Sequence, residues 1–273
     1  MAIDPDIRDL FDGHNPVAAH AWDYPPGHHI TPHMHSRAQL VHAVSGVMTV
    51  MTPQGSWVVP PLRGVWVPAG TVHSIGISGT VRMRTLFIAP DLATQNALPA
   101  YCTVVEVTEL LRAIILRAME MPSDYDWNGP GGRLMTVALD EIRTLPALPL
   151  HVPQPQSQRL TDLCQALLAD LSQTSSVQDW AKRFAMSGRT LERQFLRETG
   201  LSLGEWRRRA RLTEALRRLA EGQPILTVAL DLGYASPSAF SAMFHRALGV
   251  APSLYFSGSL VTRGDDAADG GGG

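Results

Sequence analysis

The chain of 273 residues contains only two cysteines, Cys102 and Cys164, and neither belongs to a CxxC pair. Two isolated thiols supply neither a disulfide framework nor a thiolate metal site, so we expect both to be buried thiols. The sequence also lacks any uninterrupted apolar run near the roughly 18 residues that a membrane span requires. Its first residues, MAIDPDIRDLFDG, are acidic where a signal peptide is basic and then apolar. These observations predict a cytoplasmic protein with no membrane partner.

The formal net charge is only -2, but the charges are unevenly distributed. Residues 1–156 carry 9 arginines against 13 acidic residues, whereas residues 157–258 carry 13 basic residues against 9 acidic ones. A segregated basic segment is typical of nucleic-acid-binding proteins, although an arginine-rich solvated helix face gives the same count. Hydrophobic residues make up 45% of the chain, which is enough for two cores, and the length favours two domains.

The first half of the chain has the pattern of an all-β domain followed by helices. Between residues 18 and 88, short alternating apolar runs such as QLVHAV and GVWVP are separated by glycine and proline, which predicts a β-sandwich or barrel. Residues 104–120 and 133–145 then place apolar side chains at helical spacing. The first of these helices is apolar on more than one side, which predicts contact with the barrel and with a partner chain, as in a homodimer. The tryptophans expected in the core of this half are Trp22, Trp57 and Trp66.

A stretch with four prolines, PALPLHVPQPQS at residues 146–157, separates the two halves and predicts a stiff extended linker. We therefore expect one domain at residues 1–150 and a second at residues 151–258. Residues 259–273 include GDDAADGGGG, which is too polar and flexible to pack, so this tail is expected to be disordered.

The second half has the pattern of two helix-turn-helix units. The stretch SSVQDWAKRFAMSGRTLERQFLRETG reads as a helix, a tight turn and a second helix, with Ser187 as N-cap and Leu191 and Phe195 on the buried side. The stretch ILTVALDLGYASPSAFSAMFHRALG repeats this pattern, with a turn at Gly233 and an N-cap at Ser236. In such a unit the second helix reads base edges in the major groove.

Residues 160–256 resemble the DNA-binding domain of the AraC/XylS family of bacterial transcription regulators. The resemblance rests on the spacing of Ile225, Ala229, Gly233, Tyr234, Ser236, Phe240, Phe244, Gly249, Pro252 and Tyr255, with Arg211, Ala215 and Leu219 on the connecting helix. Phe256 departs from the arginine that is common in the family, which puts a DNA-backbone contact there in doubt. The resemblance implies recognition helices held about one DNA turn apart, roughly 34 Å, so that one subunit enters two successive major grooves.

The same resemblance implies which side chains contact DNA. An arginine can bond guanine through two hydrogen bonds, whereas serine is less selective and alanine offers only a methyl contact. We therefore expect the first unit to read most of the sequence and the second mainly to position the protein on phosphates. For Arg207–Arg209 a solvated face and a phosphate contact remain alternatives. The predicted DNA-binding residues are Arg189, Thr190, Glu192, Arg193 and Arg197 in the first unit and Ser238, Ser241, Ala242, His245 and Arg246 in the second.

Four of the ten histidines fall within eight residues, in the stretch PGHHITPHMHS. His33 and His35 are two positions apart, so on a strand they lie on one face and close enough to share an ion. Gln39 follows this pair, and His73 ends the stretch PAGTVH at a glycine-containing turn. This set favours a metal or effector site.

The histidine-containing half resembles the cupin β-barrel. The first cupin motif is matched, with glutamine in place of the usual glutamate, by Gly27, His33, His35, Gln39 and Gly46. The second motif is matched by Pro68, Gly70 and His73, with its leading glycine displaced to Gly64 and Ile77 in place of its closing asparagine. In cupins the three histidines and the glutamate bind one divalent metal, so the resemblance implies a site at His33, His35, Gln39 and His73.

A neutral amide in place of the carboxylate favours an imidazole-preferring metal, which we expect to be nickel, zinc or ferrous iron. Because many AraC-like sensors keep the barrel and lose the ligands, a metal-free pocket is the alternative. His28 and His29 are expected at the mouth of the barrel as effector-pocket residues. His42 is out of phase with Gln39 and is expected to face away from the pocket.

Together these features predict a multidomain regulator, with an all-β cupin barrel and two C-terminal helices followed by an all-α double helix-turn-helix domain. The expected partners are a double-stranded DNA operator, a small-molecule or metal effector and a second copy of the chain, with RNA polymerase as a further candidate. We expect no catalytic residues. The rival hypotheses are a cupin oxygenase or isomerase fused to a DNA-binding module, and a barrel that serves only dimerisation.

Overall fold

The computed structural model describes residues 15–144 and 150–255, with only the backbone at Arg143–Thr144. The chain divides into two compact units, the first ending at Pro155 and the second beginning at Gln156. This division lies a few residues after the predicted boundary at residue 150. The predicted disordered tail at residues 259–273 and the departure at Phe256 lie outside the described residues.

The first unit contains a nine-stranded sheet in which every pairing is antiparallel. Its strands are β1 (Val17–Tyr24), β2 (His29–His33), β3 (Ala38–Thr52), β4 (Gly55–Val59), β5 (Arg63–Val67), β6 (His73–Ile88), β7 (Thr103–Glu106), β8 (Arg143–Thr144) and β9 (His151–Pro153). Short, apolar and β-branched runs between glycine and proline turns account for these strands. The predicted all-β, cupin-like first domain is confirmed.

The two longest strands, β3 and β6, pair along most of their lengths and pass through both halves of the sheet. The first part of β3 also pairs with β5 and its last part with β4, while β6 pairs first with β2 and then with β1. Their register shifts between Ala43 and Val47, as at a β-bulge. Gly46 lies at this bend with φ +74°, and a Cβ there would lie 2.6 Å from the carbonyl oxygen of Thr80. Only glycine fits this bend without strain.

Helices cover one face of the sheet. They are α1 (Pro90–Gln95), α2 (Glu109–Met119) and α3 (Pro130–Glu141). Leu111, Ile114 and Ile115 of α2 pack with Leu40 of β3 in the same buried cluster. Leu110, on the other side of α2, is 51% exposed.

Both predicted helices have different bounds from those expected. The first was predicted from residue 104, but Thr103–Glu106 form β7, because this stretch is β-branched and pairs with β5. The helix begins only after Thr108, whose hydroxyl accepts a hydrogen bond from the Leu111 N–H. The second helix begins at Pro130, which suits a first helical position, and ends before β8 rather than at residue 145.

The predicted extended linker at residues 146–157 is wrong in its central part. His151–Pro153 form β9, which pairs with Gly55–Trp57, and the His151 ring stacks on Trp57 with centroids 4.4 Å apart. The Gln154 N–H continues the contact by donating to the carbonyl oxygen of Gln54 at 2.9 Å. Proline is tolerated here because β9 lies at an edge of the sheet. Pro153 therefore belongs to an edge strand of the first unit.

The second unit is helical, as predicted. Its helices are α4 (Gln158–Ala169), α5 (Val177–Arg183), α6 (Gly188–Thr199), α7 (Leu203–Ala220), α8 (Ile225–Asp231), α9 (Pro237–Leu248) and α10 (Pro252–Tyr255). The predicted N-caps Ser187 and Ser236 each accept a backbone N–H, and Gly200 and Gly249 end α6 and α9 in the left-handed conformation. Among the described residues no helix combines the length and hydropathy of a membrane span.

Candidate metal centre and DNA-binding surface

The structure brings together the three histidines that the sequence predicted. His33 ends β2 and His73 begins β6, and the two are register partners. His35 follows β2, and its carbonyl oxygen accepts the Gly70 N–H at 2.9 Å. Each residue offers one ring nitrogen, and these three nitrogens lie within 4.8 Å of one another. All three side chains are buried, as the interior of a sensor or metal site requires.

Each ring is oriented by a backbone carbonyl group that bonds to its Nδ1 atom. The accepting oxygens belong to Thr31 for His33 at 2.8 Å, Arg37 for His35 at 2.5 Å and Thr71 for His73 at 2.9 Å. Because a carbonyl oxygen only accepts, Nδ1 must carry the proton, and Nε2 of a neutral ring then carries the lone pair. The Nε2 atom of His73 is buried and has no hydrogen-bond partner among the described residues. A carbonyl group bonded to Nδ1 in this way is commonly found on histidines that bind metals through Nε2.

Gln39 completes the cluster, and its side-chain amide is oriented by a chain of hydrogen bonds. Its Nε2 donates to Thr85 Oγ1 at 3.0 Å, and that hydroxyl donates to the Leu40 carbonyl oxygen at 2.8 Å. Gln39 Oε1 therefore faces His35 Nε2 at 3.1 Å. Both atoms are acceptors when the His35 ring is neutral, and burial lowers the pKa of His35, which opposes the imidazolium form.

A cation bound by both Gln39 Oε1 and His35 Nε2 removes this conflict, since each atom then donates a lone pair to it. In the metal-free chain, rotation of the amide by half a turn also removes it, because the amide N–H then donates to His35 Nε2. The residues at this position thus fit a divalent metal with Gln39 as fourth ligand, and they also have a consistent metal-free state.

Burial sets the protonation state of the histidine cluster. It lowers the pKa of His73 to about 3, and the neighbouring rings of His33 and His35 lower that pKa further. The pKa of His35 is lowered by the same desolvation. Because a metal binds the neutral imidazole, protons compete little with a metal at these two rings near neutral pH.

The sequence reasoning missed a row of aromatic side chains on β1 beside this cluster. His20, Trp22 and Tyr24 alternate on one face of β1, and Trp22 is half-buried instead of lying in the core as predicted. Its ring meets Phe87 edge-on at 6.3 Å, and Phe87 meets His35 edge-on at 5.2 Å. The alternation in VAAHAWDY carries the signal that could have found this row.

The two predicted effector-pocket histidines lie in different positions. His28 is exposed and stacks on Tyr24, with ring centroids 4.9 Å apart. His29 is exposed as well, but it pairs with Gly76, whereas its neighbour Ile30 pairs with the buried Ile75. Successive side chains point to opposite faces of a strand, so His29 lies on the face away from Ile75.

His42 lies in the core, away from the other histidines, as the sequence predicted. It follows Leu40 on the helix-covered face, it is fully buried, and its Nδ1 donates to the Arg63 carbonyl oxygen at 3.1 Å. Burial lowers the pKa of His42 to about 4, and the charge of Arg112 lowers it further. The unfolded chain therefore binds a proton at this position at a higher pH than the folded chain.

The substitution His42→Gln is expected to flatten the pH dependence of stability. As the pH falls from about 6.5 to about 4, the unfolded state gains a proton on His42 that the folded state does not, so the free energy of unfolding falls by up to about 1.4 kcal/mol per pH unit. Urea unfolding of the full chain across this range measures the slope. The control is His29→Gln, at an exposed histidine of the same unit. Parallel stability curves for the parent and His42→Gln would contradict the assignment.

The predicted DNA-binding faces lie on α6 and α9, opposite their buried sides. Phe195 of α6 and Phe244 of α9 are fully buried. On α6 the exposed predicted residues are Arg189, Glu192, Arg193 and Arg197, and on α9 they are Ser238, Ala242, His245 and Arg246. The other two predicted residues, Thr190 and Ser241, are partly buried. Each helix thus has one apolar side and one side open to solvent.

Two of the three arginines at the start of α7 have a role other than the two alternatives considered. Arg207 donates to the Ser175 carbonyl oxygen at 2.9 Å, and Arg209 pairs with Glu205 at 2.9 Å. Only Arg208 of the three is exposed. Two of the three guanidinium groups are therefore engaged within the second unit.

Two family models match successive and overlapping parts of the chain. A family model described as an AraC-like ligand binding domain matches residues 14–186, and one described as a helix-turn-helix domain matches residues 180–258. The HTH-type transcriptional regulator NimR of Escherichia coli strain K12 is 32% identical over 225 residues, covering 82% of this chain and 81% of that protein.

Two solved structures are similar to parts or most of the chain at low TM-scores. ToxT from Vibrio cholerae is 12% identical, with a TM-score of 0.37, and the match covers 89% of this chain and 98% of that one. The DNA-binding domain of AdpA, solved in complex with a target DNA, is 32% identical, with a TM-score of 0.35, and the match covers 37% of this chain and 91% of that one.

The fold and the matches define a DNA-binding regulator with an N-terminal ligand-binding domain and a C-terminal helix-turn-helix domain. The chain belongs to the AraC family of transcriptional regulators.

Proposed function

We propose that the first unit binds a small molecule at the histidine cluster and that this binding controls how the second unit binds a double-stranded DNA operator in the cytoplasm. The observation that carries the proposal is the buried set of His33, His35, His73 and Gln39, with three ring nitrogens within 4.8 Å of one another. An effector regulates only by binding the two states of the protein unequally. The site lies inside the sheet to which the covering helices are packed, so strain at the site can reach them.

We further propose that the cluster holds a divalent transition metal, with nickel, zinc and ferrous iron as the candidates. Three neutral imidazoles and one amide oxygen suit these metals better than a hard cation, which prefers carboxylates. A bound metal would act as a Lewis acid that holds acceptor atoms of the effector in its open positions. His33, His35 and His73 would bind it through Nε2, and the carbonyl groups at Nδ1 would keep the rings in place.

The double substitution His33→Ala with His35→Ala is expected to abolish metal retention. Elemental analysis of untagged protein should find about one metal ion per parent chain, and titration of the stripped parent with zinc, nickel or ferrous iron should restore it. Binding of the full chain to non-specific DNA should stay near the parent value, because the second unit is unchanged. The control is His29→Ala, at an exposed histidine outside the cluster. A parent that neither retains nor takes up metal would show that the pocket senses by shape alone.

The rival function is a metalloenzyme, and the chemistry of the cluster disfavours it. Gln39 replaces the one carboxylate of the cupin motif, and an amide can neither take up nor release a proton near neutral pH. We therefore propose that the site binds its ligand without turning it over. Conversion of a bound ligand by the metal-loaded full chain would support the enzyme instead.

For DNA recognition we propose unequal roles of the two helix-turn-helix units. Arg189 and Arg193 are exposed on α6, whereas the corresponding exposed positions of α9 carry Ser238 and Ala242. Only the arginines can form two hydrogen bonds with one guanine. The first helix-turn-helix unit then carries most of the base discrimination, and His245 and Arg246 of α9 contact phosphates.

Arg193→Ala is expected to weaken specific binding by about 1–3 kcal/mol and to relax specificity in one half of the site. Ser241→Ala is the matched substitution in the second unit and should cost much less, since serine contributes little discrimination. Gel-shift titration with a duplex selected from a random pool by the parent protein measures both losses. Equal losses from the two substitutions would refute the unequal roles.

We propose that α2 and α3 form the surface through which two chains associate. Their inner sides are buried against the sheet, whereas Leu110 of α2 and Val137 of α3 are 51% and 42% exposed. A helix that is apolar on its outer side as well is typical of a homodimer interface. Contact with RNA polymerase stays a prediction.

The full chain is expected to sediment as a dimer at micromolar concentration, and Leu110→Glu with Val137→Glu to sediment as a monomer. Two carboxylates in an apolar interface lose hydration without gaining a partner, which opposes association. Leu168→Glu, at a 48% exposed leucine of the second unit, serves as the control. A parent that sediments as a monomer, or a variant that remains dimeric, would move the interface elsewhere.

A further inference from the structure

Residues 171–175, the bridging segment, connect α4 to α5 and are held through their backbone by two arginines of α7. Four N–H groups donate to three carbonyl oxygens. Arg207 bonds Ser175 at 2.9 Å and also bonds Gln173, while Arg211 bonds Leu171 at 2.7 Å and Gln173 at 3.0 Å. Charge-assisted bonds from a planar guanidinium group fix both distance and direction.

The turn of the second helix-turn-helix unit rests on the same bridging segment. Gly233, between α8 and α9, has φ +79°, and a Cβ at this position would lie 2.5 Å from the carbonyl oxygen of Ser172. Tyr234 follows Gly233, and the Arg211 guanidinium lies over its ring, with Cζ of Arg211 5.9 Å from the ring centroid. Arg211 therefore contacts both the bridging segment and the turn that leads into α9.

The first helix-turn-helix unit begins where the bridging segment ends. Ser176 directly follows the segment and is the N-cap of α5, in a capping box with Asp179. Helix α5 packs against the recognition helix α6. The bridging segment thus contacts the turn of the second helix-turn-helix unit and continues directly into α5, the first helix of the first helix-turn-helix unit.

We infer that Arg207 and Arg211 are positioning residues that set the distance and angle between the recognition helices α6 and α9. Near its start, helix α7 contacts the first helix-turn-helix unit, where Trp206 meets Phe195 edge-on at 6.0 Å. Near its end it contacts the second helix-turn-helix unit, where Arg218 pairs with Asp231 at 3.0 Å. The bridging segment adds a second connection beside α7. Two connections at different places restrict rotation of one helix-turn-helix unit about the other, whereas a single connecting helix does not.

This inference rests on the proposed function, because the spacing of α6 and α9 matters only if both helices enter the DNA. Inserting one base pair between two half-sites moves one half-site by about 3.4 Å and rotates it by about 35°. A rigid pair of recognition helices loses affinity steeply for such a site. A pair loosened by loss of the arginines loses less, because the second helix can follow the displaced half-site.

The test compares the full-length parent with Arg211→Met on the duplex selected from a random pool, and on versions with one base pair inserted or removed between the half-sites. Arg211→Met should bind the original duplex about tenfold more weakly, as expected when charged hydrogen bonds are lost. Its affinity ratio between the original and the altered spacings should fall toward one. Binding to a duplex that keeps only the half-site of α6 should stay as in the parent.

Further variants separate positioning from general stability. Arg217→Met removes the same charge from the same helix, but among the described residues the Arg217 guanidinium bonds only Glu214 and Glu221, so the spacing ratio of this variant should match the parent. Gly233→Ala should lower the spacing ratio as Arg211→Met does, since its Cβ forces the turn away from the bridging segment. Arg211→Lys, which keeps the charge without the planar fork, should give an intermediate ratio.

Three outcomes would overturn the inference or its basis. A variant that loses affinity equally for every duplex, with an unchanged spacing ratio, would assign Arg211 to fold stability alone. An Arg211→Met protein with the parent's affinity and ratio would remove any role. A parent without spacing dependence would refute the proposed use of two recognition helices, which the parent data alone decide.

Discussion

The pairing of β3 with β6 is the constraint on which the first unit depends. These two strands run through both halves of the sheet, and all the other pairings except that of β7 with β8 are built on one of them or on a strand next to them. The pairing of β6 with β2 sets His73 opposite His33, whereas the pairing of β6 with β3 sets Gln39 opposite Phe87 near the other end of β6. The bulge at Gly46 lets both strands change direction within the sheet. The ligand-type residues therefore depend on both pairings of β6.

The histidine cluster and the exposed faces of α6 and α9 were predictable from the sequence because local rules determine them. His33 and His35 are two residues apart, a spacing that the sequence reads as one face of a strand, although β2 ends at His33. Ser187 and Ser236 are N-caps whose side chains bond within their own first turn, so their role does not depend on the rest of the fold. Phe195 and Phe244 follow from helical spacing in the same way.

The elements that the sequence did not predict depend on distant partners. Thr103–Glu106 and His151–Pro153 become strands because β5 and β4 offer unpaired edges, and periodicity in a short apolar run cannot reveal this. Trp22 meets Phe87, which in turn meets His35, only because β1 pairs with the far part of β6. Arg207 and Arg211 were read as part of a charged helix face or a family pattern, although their partners are carbonyl groups more than 30 residues away.

The positive charge of the second unit consequently has two uses. Arg189 and Arg193 are exposed and available to an anionic partner, whereas Arg207, Arg211 and Arg217 are engaged by carbonyl or carboxylate oxygens of the same unit. Counting basic residues therefore overstates the charge offered to DNA. The distinction is one of hydrogen-bond partners, which composition does not contain.

The hydrogen bonds from Arg207 and Arg211 to backbone oxygens have a consequence for how the DNA sequence preference of such a protein can change in evolution. A carbonyl group is the same in every residue, so substitutions in the side chains of Leu171, Gln173 and Ser175 leave the acceptors of these bonds in place. The side chains that face outward from α6 and α9 likewise take no part in these hydrogen bonds. Recognition of new DNA sequences can thus arise by exchanging residues on the two helices while the frame that carries them is inherited unchanged.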